Sequence, residues 1–173
     1  MMQTKHRDRR PDAVKKTGLI CGIVYATIGF IIRLCAPSPL NMIHVMGADV
    51  LLPPMWIFNM LSLFWFFISG FAFGIIMGKI FCKRICGQEE ILSYRGSLFF
   101  IAMFFMSLMW YPLFFCGTKL FFSFIISVCC LICSCMCAFL FKSVHTLSCL
   151  AMCTNSLWLF YVSYINLAIM LRV

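Results

Sequence analysis

Acidic side chains are what this sequence has least of. Asp8, Asp12, Asp49, Glu89 and Glu90 are the full set in 173 residues, and each falls in a tail or a loop rather than inside a long apolar run. A proton-coupled carrier needs a titratable group at membrane depth, so their placement weighs against that class. The chain also lacks a phosphate-binding loop, a metal-ligand motif and any nucleophile with a base beside it. Ser107 and Ser163 have no histidine within the runs to activate them. No catalytic residue is assigned and an enzyme is not expected. Charge of either sign is sparse: 11% of residues are charged, 64% are hydrophobic, and the mean hydropathy is +1.02. A soluble domain does not carry that balance.

What is present is apolar sequence in long stretches. The length accommodates about five helices at the roughly 20 residues each needs to cross the hydrocarbon. The expected fold is an all-α membrane protein, a five-transmembrane-helix bundle with its N-terminus inside. The formal charge of +9 would suit nucleic acid, but the basic residues stand at the ends of apolar runs, where they mark topology. Nucleic acid is therefore not an expected partner, and membrane lipid is. Twelve cysteines lie mostly within apolar runs, where a thiol is a small hydrophobe rather than half of a disulfide. Cys129, Cys130, Cys133, Cys135 and Cys137 share one span, point in several directions on a continuous helix, and serve packing better than metal binding.

Along the chain, residues 1–16 form a basic cytoplasmic tail, expected to be disordered, and residues 17–173 the bundle. The spans fall at about 18–36, 55–81, 92–116, 120–141 and 146–171. In the first, Gly18, Gly22 and Ala26 make a small-residue face suited to close helix contact, and Arg33 is expected to snorkel to the outer headgroups. Residues 37–54 break the helical pattern with prolines yet stay apolar, as a lid over the bundle mouth would. His44 within it is either a haem-type ligand or an interfacial histidine. The second span opens at Pro53-Pro54, where proline suits a helix start. It carries Phe58, Ser62, Trp65 and Phe66 on one aromatic face, then Gly70, Gly74 and Gly78 in two overlapping GxxxG units. Asn59 is polar at depth, fit for a structural hydrogen bond or a ligand contact. The inner side collects the tail together with Lys79, Lys83, Arg84, Arg95 and Lys142. Arg33, Lys119 and Arg172 are left outside, as the positive-inside bias requires.

The third span contains Pro112 beside Trp110 and Tyr111. Proline this deep in an apolar helix reads as a kink facing the bundle interior, with Trp110 and Tyr111 as the wall of a pocket. In the last span Trp158, Val162 and Ile165 share one face. Core packing accounts for each tryptophan about as well as ligand contact does.

Three segments in register resemble the TspO/MBR family, the tryptophan-rich sensory proteins. Pro53-Pro54-Met55-Trp56-Ile57-Phe58 is similar to the family's entrance to its second helix, with Gly70 at a family glycine. Trp110-Tyr111-Pro112-Leu113-Phe114-Phe115 matches its Trp-x-Pro-x-Phe-Phe core. Trp158, Leu159, Ile165 and Asn166 resemble its fifth helix. The chain departs from the family pattern at Met42-Ile43, where the family has Trp-Tyr, and at Thr154-Asn155, where it has Pro-Tyr. Ser62 replaces a ligand-facing tryptophan and Ser107 an asparagine. The resemblance implies a five-helix bundle, often dimeric, with a pocket beneath the first loop that binds tetrapyrroles or, in some members, sterols. It carries over Phe58, Trp110, Trp158 and Ile165 as ligand-binding residues, and Val162 joins them by helical spacing.

The function expected is binding of a hydrophobic planar ligand, a porphyrin first and a sterol-like molecule second, for sensing or transport. The residues 41–52 would close over it. A porphyrin or haem would be the ligand, with no obligatory cofactor. A homodimer and a multi-pass place in a bacterial plasma membrane complete the expectation. The alternative is a non-catalytic accessory or assembly subunit without a small-molecule ligand, whose glycine faces contact a partner.

Overall fold

The computed structural model describes residues 10–35, 53–82, 85–115 and 119–171. These form five α-helices: α1 (Arg10–Cys35), α2 (Met55–Phe81), α3 (Gln88–Phe115), α4 (Leu120–Lys142) and α5 (Thr146–Met170). The lid expected at 37–54, with His44, lies almost wholly outside the described residues, as does the expected tail up to residue 9.

Two helices begin earlier than the apolar pattern suggests, and the reason is electrostatic. The segment expected as a disordered tail is helical from Arg10, with Asp12 in its first turn. The loop expected before residue 92 is helical from Gln88, with Glu89 and Glu90 in the first turn. Carboxylates at those positions meet the positive end of the helix dipole. Gly87, at φ 64°, supplies the left-handed residue that turns the chain into α3. The polar first turn of α1 is anchored as well, because Val14 is buried and its Cα lies 3.1 Å from where a Cβ on Gly78 would stand. Pro54 opens α2, its carbonyl accepting from Ile57 N (2.8 Å) and Phe58 N (3.1 Å).

Four helices, α1 to α4, are long and apolar enough to cross a membrane. α5 matches them in length but is interrupted by Ser148, Asn155, Ser156, Ser163 and Asn166. Most of those groups are spent on neighbouring helices. Ser148 Oγ donates to the Ala72 carbonyl of α2 (3.1 Å), and Asn155 Nδ2 to Ser134 Oγ of α4 (3.0 Å). Asn166 Oδ1 accepts from Ser123 Oγ of α4 (2.7 Å), while its Nδ2 returns to the Val162 carbonyl (2.7 Å). A polar stripe satisfied between helices carries no penalty in lipid.

The helices form a ring in which α1 packs on α2, α2 on α5, α5 on α4 and α4 on α3, with α3 touching α2 and α1 only lightly. Two seams hold it. In the first, a Cβ on Gly74 would lie 2.7 Å from Gly18 Cα and 2.7 Å from the Thr17 carbonyl, and one on Gly70 would lie 3.1 Å from Gly22 Cα. The glycine faces of α1 and α2 thus meet each other, the close helix contact expected of them rather than the partner contact of the alternative reading. In the second, the buried residues of α4 (Ser123, Ser127, Cys130, Ser134, Cys137, Phe141) recur in alternating steps of four and three. Ser148, Met152, Asn155, Val162, Asn166 and Ile169 of α5 follow the same period, which is the seam of a left-handed helix pair. Within the cysteine cluster, Cys130 and Cys137 are buried with their thiols against α3, beside the Met103 and Gly96 carbonyls, and Cys135 is exposed.

Candidate functional site

Buried side chains gather into two clusters, one around Met103, Cys137, Phe141 and Met152, the other around Phe58, Trp110, Tyr111, Phe114 and Val162. Between them lies a cavity of about 50 Å³. That is room for one or two water molecules, against the several hundred Å³ of a site for a drug-sized guest.

Its wall draws on all five helices: Tyr25 from α1; Phe58, Ser62, Trp65, Phe66 and Ser69 from α2; Met103, Ser107, Trp110 and Tyr111 from α3; Ser127 and Cys130 from α4; Asn155, Trp158, Leu159 and Val162 from α5. Of the residues the sequence singles out, Phe58, Trp110, Trp158 and Val162 are brought together on this wall. Ile165 is buried in the adjoining cluster and does not line the cavity. The rings meet closely: Phe58 and Trp158 at 5.4 Å, Trp65 and Trp158 stacked at 6.5 Å, Trp110 and Phe114 stacked at 4.8 Å, Phe66 and Tyr111 at 6.0 Å between centroids. Trp65 and Trp158 are half-buried, whereas Phe58 and Trp110 are sealed in. Trp56, 68% exposed, belongs to the outer surface.

Pro112 departs from expectation. It lies within α3 but is exposed, while Trp110, Tyr111 and Phe114 turn inward. Each residue advances 100° around a helix, so the proline that follows Tyr111 faces outward from the bundle and leaves the wall to the aromatics. Arg33 also departs. Instead of reaching for headgroups it is half-buried, and its Nε donates to Asn59 Oδ1 at 2.8 Å, the structural bond open to Asn59.

Several wall residues were not singled out from the sequence as binding residues. Tyr25 is the contribution of α1, its ring against Phe66 (5.2 Å) and Phe104 (4.7 Å), and an isolated tyrosine in an apolar run gives no signal. Ser62, Ser107 and Asn155 were visible as departures from the family pattern. All three stand on the wall, so the substitutions fall on the cavity.

At the end of the bundle where α4 turns into α5, His145 is the N-cap of α5. Its Nδ1 accepts from Ser148 N at 3.3 Å and lies 3.2 Å from Ser148 Oγ. Lys79 Nζ donates to the Val144 carbonyl at 2.7 Å, tying α2 to the turn. Partial burial, then the nearby Lys79 charge, hold the His145 imidazole below its ordinary value near 6.5.

Comparison with curated proteins gives no match, and comparison with solved structures gives none either. The TspO/MBR family model matches residues 22–172, a stretch that takes in four whole helices, most of α1 and every residue of the cavity wall, and on that match the chain belongs to the TspO/MBR family.

Proposed function

We propose that this membrane protein binds a hydrophobic planar ligand, a porphyrin first among candidates, in the central cavity, and that it senses or passes on that ligand without catalysis. The observation that carries the reading is a cavity placed where all five helices converge, faced by three tryptophans and edged with hydroxyls. That is the profile of a site for a flat, largely apolar guest. The reading makes one geometric demand. A space of about 50 Å³ admits such a guest only if the wall parts.

Five crossings with the N-terminus inside are part of the proposal. The chain end of α2 meets the α4–α5 turn through Lys79 and Val144, and Val14 of α1 packs beside Gly78. Lys15, Lys16, Lys79 and Lys142 therefore share one end of the bundle, opposite Arg33 and Lys119, which supports that orientation. The accessory-subunit reading loses its main support, because the glycine faces it relied on are spent between α1 and α2.

Titration of the detergent-purified protein with protoporphyrin tests the proposal. Saturable quenching of tryptophan fluorescence at one ligand per chain is expected, and a linear, unsaturable response from folded protein would overturn it.

A further inference from the structure

We propose that Cys149 and Cys153 form a two-coordinate site for a soft univalent cation, copper(I) in chemical class, in a groove between α4 and α5. The groove shares no residue with the central cavity, so the site is independent of the ligand proposed there.

The groove has a volume of about 350 Å³, and its lining includes Cys135, Phe139 and Lys142 of α4 with Cys149, Cys153 and Ser156 of α5. Each set recurs in steps of four and three, which puts it on one face of its helix. Cys153 is exposed and Cys149 half-buried, both as free thiols, so an ion can reach them. Residues four apart on a helix hold their Cβ atoms about 5 to 6 Å apart. A disulfide needs about 3.5 to 4.5 Å between those atoms, so the intact helix keeps the pair reduced. An ion held end to end between two sulfurs, at about 2.3 Å per thiolate bond, sets them about 4.6 Å apart, which small turns of the two side chains supply. Cys129 and Cys133 have the same spacing, but Cys133 packs against the buried core.

Two further observations choose the ion. Among the described residues no group of three or more Cys, His, Asp or Glu gathers as a metal site, so the four ligands of a closed zinc site are not available to this pair. Two thiolates instead suit a soft closed-shell ion such as Cu(I). Lys142 stands in the same groove. Two thiolates and a univalent ion leave one negative charge, costly beside lipid, and the Lys142 ammonium cancels it, whereas a divalent ion would leave the assembly positive. Binding releases both thiol protons to water and transfers no electron.

Anaerobic competition of the detergent-purified protein against the Cu(I) chelator bathocuproine disulfonate, with ascorbate present, makes the test. One Cu(I) per chain should be withheld from the chelator, with two sulfur neighbours by X-ray absorption. Cys149→Ser and Cys153→Ser should each release that ion, and Cys133→Ser should retain it. Lys142→Gln should weaken retention by about tenfold, as loss of a group outside the ligand shell does. The sulfur count is read on the unaltered protein and does not depend on how the variants fold. Three or more sulfurs at the copper, no ion withheld, or retention unchanged in Cys149→Ser and Cys153→Ser would overturn the inference and leave the central cavity's role untouched.

Discussion

His145 holds the first turn of α5 by accepting, at Nδ1, the backbone proton of Ser148. Only a neutral ring with its proton on Nε2 can do so, and burial together with Lys79 favours that form. The folded chain thus takes up a proton here less readily than the unfolded chain. The stability this histidine contributes is complete above its ordinary value near 6.5 and is lost as pH falls through the lowered one. Thermal melting followed by circular dichroism should show a falling midpoint on acidification. In His145→Asn, which caps without titrating, that slope should flatten. His145→Ala should cost about 1 kcal/mol at neutral pH, as loss of an N-cap does. A slope unchanged in His145→Asn would assign the acid sensitivity elsewhere.

The elements owe their arrangement to two seams of different chemistry. In the α1–α2 seam the backbones themselves touch, so Gly74→Ala, whose Cβ would meet Gly18 Cα and the Thr17 carbonyl at 2.7 Å, forces the helices apart. A loss of about 1 to 3 kcal/mol is expected, the usual cost of overpacking. Gly29→Ala should cost much less, because its new methyl meets only the Phe66 ring at 2.8 Å, and a side chain can turn. Melting of the two variants side by side checks this, and equal losses would contradict it. In the α4–α5 seam, Asn166→Ala strands the Ser123 hydroxyl that donates to it at 2.7 Å. About 0.5 to 2 kcal/mol should be lost, the range for hydrogen bonds between helices in membranes, with most of it recovered in the Ser123→Ala, Asn166→Ala double variant.

The five described helices and both glycine faces were legible in the sequence, because apolar length and four-residue spacing are local signals. Which faces meet is a property of the ring. Nothing in Gly18, Gly22, Gly70 and Gly74 says that they find each other rather than a partner. The extra turns at Arg10 and Gln88 were obscured by polarity, although Asp12, Glu89 and Glu90 are what a helix start in water calls for.

For the whole molecule, the site was half legible. Tryptophans in family motifs led to Phe58, Trp110 and Trp158, and periodicity led to Val162. Ile165 shares that face but stops one layer short of the cavity, a distinction only packing makes. The proposed role requires that a guest enter between these rings. The measurement that tests this most directly is the affinity of protoporphyrin for Trp158→Ala and Trp56→Ala, determined by calorimetry against the unaltered protein. Trp158 lines the cavity and Trp56 is 68% exposed outside it. Loss of an aromatic anchor at Trp158 should weaken binding by about tenfold or more and Trp56→Ala should leave it unchanged. Equal affinities across all three proteins would contradict the account.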